Sequence, residues 1–200
     1  MKAVNHYRLN SKDILPMDEY KKIRKEKRKE IINIKRYRRL DFGPYISMYF
    51  ENRATMWYQI QEMLFIEKGG IEQVKDELEA YNSLIPNGKE LIATLMVEID
   101  KPAMREKILS TLGGIEEEVY FNINEVEVRG VAEADLDRTN ANGKASSVQF
   151  IHFSFDDKLI KLFSDSDVEI SISIKHKYYG HSTIIDKMTC LALASDFSLK

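Results

Sequence analysis

The chain has one cysteine, Cys190, in 200 residues. One thiol excludes an internal disulfide and a zinc-finger spacing, and it argues against an iron–sulfur cluster, which is held by several thiolates. No apolar run approaches the length that spans a bilayer. The opening MKAVNHYRLNSKD has no apolar stretch behind its lysine, so no secretory leader is expected and the expected location is the cytoplasm. The phosphate-cradling G-x-x-x-x-G-K-[ST], the dinucleotide G-x-G-x-x-G and the nucleophile-elbow G-x-S-x-G are all missing. Internal repeats and low-complexity linkers are missing as well.

What is present is ordinary globular composition: 44% hydrophobic and 31% charged residues, enough chain to bury a core without staples. The net charge of −2 conceals an asymmetry. Residues 16–39 hold eleven Lys and Arg against four Asp and Glu, a net +7, which leaves −9 for the remainder. Such segregation marks either a contact with nucleic acid or a membrane, or a basic helix docked on an acidic body.

The pattern predicts a basic helix over 16–39, opened by Pro16 and the first-turn acids Asp18 and Glu19, and ending in Arg36, Arg38 and Arg39. A Gly43–Pro44 turn leads into a strand from Tyr45 to Phe50. Asn52 is placed to cap a helix that runs to Gly69. A shorter helix (71–81), an apolar strand (90–99) and a helix from Pro102 to Gly113 follow. Two strands pair around Asn124, and 135–146 reads as a polar loop. Residues 147–155 and 167–174 alternate as strands around a short helix, 175–181 reads as a connector, and a last helix is expected from a Ser182 cap. The result is an α+β domain spanning 1–200, with a largely antiparallel or mixed sheet of about five or six strands and about five helices.

Residues 52–68, NRATMWYQIQEMLFIEK, pose the main question. A helix apolar on most sides carries Gln59, Gln61 and Glu62 close to the single tryptophan. Those groups either form a satisfied buried network or line a polar cleft walled by Trp57 and Tyr58, with Arg53 as an anion contact and Tyr81 and Asn82 from the next segment. Cys190, between apolar neighbours, reads as a small hydrophobe and not a nucleophile. His6, His152, His176 and His181 have no spacing that requires a metal, and no metal or cofactor is assigned.

FENRATMWYQIQEML, followed by ELEAYNSLIPNGKELIATLMVE, resembles the bacterial domain-of-unknown-function family 3501. The likeness runs nearly end to end. It takes in the basic helix after LPMDEY, the GP turn and the SSVQF strand. The resemblance implies no particular activity. It implies a redox or peroxide-stress setting, because genes of the family stand beside those of rubrerythrin-like and iron–sulfur proteins.

Three functional expectations follow. The first is a non-catalytic accessory protein that binds a redox partner either through the basic residues Lys21, Lys25, Arg28, Lys29, Arg36, Arg38 and Arg39 or through an acidic face. The second is an enzyme or small-ligand binder using the cleft on the 53–66 helix. The third, least favoured because the rest of the chain is acidic, is nucleic-acid binding by the basic helix, with Tyr37 stacking on a base. Membrane association is not expected, and the pattern leaves the oligomeric state open.

Overall fold

The computed structural model describes residues 7–133, 144–165 and 167–198. The protein is α+β, with six helices and two antiparallel sheets among the described residues. The basic segment forms α1 (Met17–Arg36), and the capped segment forms α2 (Arg53–Glu67). They are followed by α3 (Gly70–Asn82), α4 (Pro102–Leu109), α5 (Asp157–Phe163) and α6 (Lys187–Ala194).

The first sheet has the order β1 (Arg39–Phe42), β2 (Ile46–Phe50), β3 (Glu90–Val97), β7 (Val148–Ser154) and β6 (Val131–Ala132). The second has the order β5 (Val126–Arg129), β4 (Val119–Ile123), β8 (Ile170–His176) and β9 (Tyr179–Ile184).

The layering follows from strand alternation. On β3, Leu91, Ala93, Leu95 and Val97 enter one core, which they share with Phe121, Ile123, Ile172 and Ile174 of the second sheet. Ile92, pointing the other way, packs with Met56, Ile60 and Leu64 of α2. The first sheet therefore lies between the second sheet and a helical layer. Phe121 is the hub between the sheets, with Phe153 4.8 Å, Phe155 5.6 Å and Phe50 5.7 Å from its ring centre. Aromatic pairs in such edge-on geometries contribute beyond the area they bury.

Several expectations are corrected. Among the described residues, nine strands in two sheets replace five or six in one. The basic helix stops at Arg36, not at residue 39; Arg39–Phe42 is a strand whose Leu40 and Phe42 face the core. Pro16 precedes the first helical residue as the cap, and the fourth helix ends at Leu109, short of Gly113.

The supposed connector 175–181 is the tip of a hairpin in which His176 pairs with Tyr179. Its loop, Lys177–Tyr178, has neither glycine nor asparagine, so the usual turn signal was missing. Ser182 lies inside β9; the cap of the last helix is Asp186, which accepts the Met188 and Thr189 amides. The polar loop expected at 135–146 lies mostly outside the described residues.

Other local readings agree with the structure. Asn52 caps α2, its side chain accepting the Thr55 amide at 3.0 Å while Thr55 Oγ1 accepts the Asn52 amide at 2.9 Å. The hairpin around Asn124 forms, with that residue at φ 52°. Asparagine tolerates this left-handed geometry better than most residues.

Candidate functional site

The polar residues of α2 are directed at the chain that precedes and begins α1. Arg53 Nη2 pairs with Asp13 Oδ1 at 2.9 Å. Trp57 Nε1 donates to the Asp13 carbonyl at 2.8 Å. Gln61 Nε2 reaches the Leu15 carbonyl at 3.5 Å. Glu62 accepts the Tyr20 hydroxyl at 2.6 Å and a bidentate pair from Arg24, Nε and Nη2 both at 2.8 Å.

One helical turn separates Arg53, Trp57 and Gln61, and Glu62 adjoins the last of them, so one side of α2 fastens residues 13 to 24 along its length. Asn82 extends the fastening from α3: its Oδ1 accepts the Leu9 amide at 2.7 Å and its Nδ2 donates to the Leu9 carbonyl at 3.0 Å. Tyr20 is fully buried against Trp57 and Phe65 in edge-on contacts, with ring centres 6.0 and 6.3 Å apart. Trp57, Glu62 and Asn82 thus give the N-terminal segment its partners, while Gln61 Oε1 and Arg53 Nε stay buried without a hydrogen bond.

The electrostatics agree. Hydrogen bonding from Arg24 holds the Glu62 carboxyl below its ordinary range, helped by Tyr20 and opposed by burial. Burial, and then the Glu62 carboxylate, push the Tyr20 hydroxyl well above the ordinary phenol range.

A group with a depressed native pKa contributes stability that is complete above its unfolded-state value, about 4.3 for glutamate. That stability is lost as pH falls through the lower native value. Acidification should therefore loosen α1, and Glu62→Gln should remove this part of the pH dependence. Glu62→Ala should cost about 1–2 kcal/mol at neutral pH, since it strands the buried Tyr20 hydroxyl. Thermal unfolding of wild type and Glu62→Gln between roughly pH 7 and pH 3 checks this; parallel curves would disprove the coupling.

A small cleft does remain beside this clamp. Trp57, Tyr58 and Arg53 meet Lys27, Glu30, Ile31 and Ile34 around about 250 Å³. This is below the usual size of a small-molecule site. Among the expected cleft residues, it gathers only Arg53, Trp57 and Tyr58. Gln61 is turned to Leu15 and Glu62 to Tyr20 and Arg24 of α1 instead, and Gln59 is partly exposed outside the cleft lining. Tyr81 packs against the core beneath α2, and Asn82 holds Leu9.

The basic residues divide sharply. Lys21, Lys25, Arg28, Lys29 and Arg36 are exposed on α1, and Lys21 approaches Asp18 at 3.4 Å. Arg39 is on β1, tied to Asp41 and Glu98 at 2.9 and 3.1 Å. Arg38 is not on any surface. At 3% exposure it donates to the carbonyls of Phe50, Glu51 and Ala192 and pairs with Asp196.

This buried pair was not anticipated from the sequence. Neither was Glu51, whose carboxylate accepts the hydroxyls of Thr55 and Thr94 at 2.6 and 2.8 Å. The signal available was the inward alternation of Leu40 and Phe42, which ends the helix before Arg38.

The three described histidines do not converge, and His6 lies outside the described residues. His152 approaches Glu90 at 3.3 Å, His176 the Gly113 carbonyl at 3.3 Å, and His181 the Tyr179 ring at 4.5 Å. Among the described residues, no group of three metal-ligating side chains comes together. Burial pushes the Cys190 thiol up, away from the thiolate that nucleophilic chemistry uses.

Fold and site define a two-sheet α+β protein whose first sheet carries a helical layer, with a basic helix clamped along its outside. The chain belongs to the family described as protein of unknown function (DUF3501), whose model matches residues 8–197. It is similar to a novel protein of unknown function from Burkholderia pseudomallei K96243, whose crystal structure was determined at 1.90 Å resolution. The two are 32% identical, the match covers 95% of this chain and 99% of the other, and the TM-score is 0.87. A search of curated proteins finds no match. No helix among the described residues is long and apolar enough to cross a membrane.

Proposed function

We propose that the protein is a non-catalytic accessory protein that binds an acidic partner protein through the outward face of α1. The observation that carries this reading is the division of labour along that helix. Its inward side chains, Tyr20 and Arg24, are consumed by Glu62. Its outward cations Lys25, Arg28, Lys29 and Arg36 are exposed and form no ion pair among the described residues. Ile32, 58% exposed, lies one turn beyond Arg28 on the same face. An apolar residue within a cationic stripe suits a protein partner, which offers both a carboxylate field and something to bury.

A long polyanion fits less well, since the rest of the chain carries −9 and would repel it beyond the helix. A redox protein is the partner that the family resemblance leads us to expect.

The triple variant K25E/R28E/K29E tests the reading. These side chains are exposed, so the fold should survive, as circular dichroism would show. Wild-type protein isolated from its host at low salt should bring a stoichiometric acidic protein with it. That protein should be released near 0.5 M salt, where screening is nearly complete. The triple variant should fail to retain it. Retention by the variant, or a partner unaffected by salt, would move the interface elsewhere.

A further inference from the structure

We infer that the protein has a second, separate binding site, for a single-chain amphiphile with an anionic head, in the cavity between the N-terminal strap and α3. The cavity is about 1110 Å³. One wall is the strap, which contributes Leu9, Ile14 and Met17; the other is the end of α2 with α3, which contributes Leu64, Val74 and Leu78. These side chains belong to the core cluster beneath α2; Leu9 and Leu64 are buried in it, and Ile14, Met17, Val74 and Leu78 are partly exposed to the cavity.

The opening is not a gap left by a loose segment. The strap is fixed at Leu9 by both ends of the Asn82 amide and at Asp13 by Arg53 and Trp57. The Asn82 bridge thus ties the two walls together at Leu9, and the bonds at Asp13 fix the path of the strap beyond it. A preformed, mostly apolar concavity with a few convergent polar groups is the usual form of a small-molecule site.

The charges select the ligand class. Arg8, Lys68 and Lys75 are exposed at the cavity rim and form no ion pair among the described residues, and Glu79 is the single carboxylate in the lining. Lys68 holds the left-handed φ of 59° that closes α2, a position where glycine is more comfortable. The turn thus places a lysine at the mouth at a conformational cost. An apolar trough with three unpaired cations and one carboxylate at its edge complements an alkyl chain ending in a carboxylate. An uncharged or cationic amphiphile would leave the rim unsatisfied.

Titration calorimetry with decanoate, dodecanoate and tetradecanoate, each below its micelle concentration, tests the site. Affinity should rise roughly fourfold for each added methylene. The exposed-residue variant K68E/K75E should weaken dodecanoate binding by about tenfold or more, as expected from loss of two charge-assisted contacts, while leaving dodecanol binding unchanged. Val74→Trp, which fills the trough, should abolish binding of both; if that variant fails to fold, the charge variant decides alone.

Affinity independent of chain length overturns the proposal. So does equal binding of dodecanoate and dodecyltrimethylammonium, or binding to phosphatidylglycerol vesicles without binding of the free acids, which would mean a bilayer surface and not a single-chain ligand.

Discussion

Replacing Arg38 by methionine should lower the unfolding free energy by about 3–5 kcal/mol, the usual cost of leaving one member of a buried ion pair alone. Arg38 is 3% exposed, and its guanidinium joins the end of β2 to α6 and the turn that follows it. Nε donates to the Phe50 carbonyl at the end of β2, Nη1 to Ala192 in α6 at 3.0 Å, and Nη2 to Glu51 and to the Asp196 carboxylate. Methionine matches the length of the stem but supplies none of these donors, so three carbonyls and a carboxylate lose their partner.

Burial already pushes the Asp196 carboxyl above the usual range, against the pull of Arg38 and Asn52. The attraction therefore offsets only part of the desolvation. Asp196→Leu combined with Arg38→Met should accordingly be less destabilised than Arg38→Met alone, because the stranded charge is gone. Denaturant unfolding of the two single variants and the double variant measures the coupling. An Arg38→Met midpoint close to wild type would show that the pair does not fasten α6 to the first sheet.

Gly130→Val should destabilise the protein at the upper end of the range of about 1–3 kcal/mol seen for overpacked cores. Gly130 joins β5 of one sheet to β6 of the other, and its amide donates to the Val119 carbonyl at 2.8 Å. A Cβ there would stand 2.5 Å from Ile151 Cγ2 and 2.9 Å from Phe153 Cε1. Both neighbours are fully buried, and Phe153 is packed edge-on against Phe121. Neither can swing into solvent, so the two sheets must move apart. Gly130→Ala should lose less than valine. Equal stability of all three proteins in calorimetric unfolding would mean that the crossing has room to spare.

Gly130 also shows where local reading stops. Residues 126–132 alternate like one strand, and the sequence has no mark, apart from one glycine, that the chain changes sheets there. The reason is physical: the pleat is the same on either side of the crossing, and only the partners differ. The same holds for β9, hidden because its turn uses Lys177 and Tyr178 and because Ser182 resembles a helix cap. Caps that depend on neighbouring residues were legible, as at Asn52 and in the Asn124 hairpin.

The candidate site divides in the same way. That Gln61 and Glu62 needed partners followed from placing polar groups in an apolar helix, since an unsatisfied buried group is costly wherever it sits. Who the partners are did not follow. Asp13, Leu15, Tyr20 and Arg24 are some 40 residues away along the chain, and only packing of α1 on α2 brings them within reach. The tertiary structure likewise removed Arg38 from the basic surface and assigned it to Asp196, 158 positions later.

By itself, then, the sequence determined the α+β class, the basic helix, most helix starts and the family, because these rest on periodicity, capping and recognisable local strings. The tertiary structure decided which charges face outward, which are spent on the fold, and where an apolar trough stays open. Each of those depends on distances between residues far apart in the chain, which neither composition nor spacing encodes.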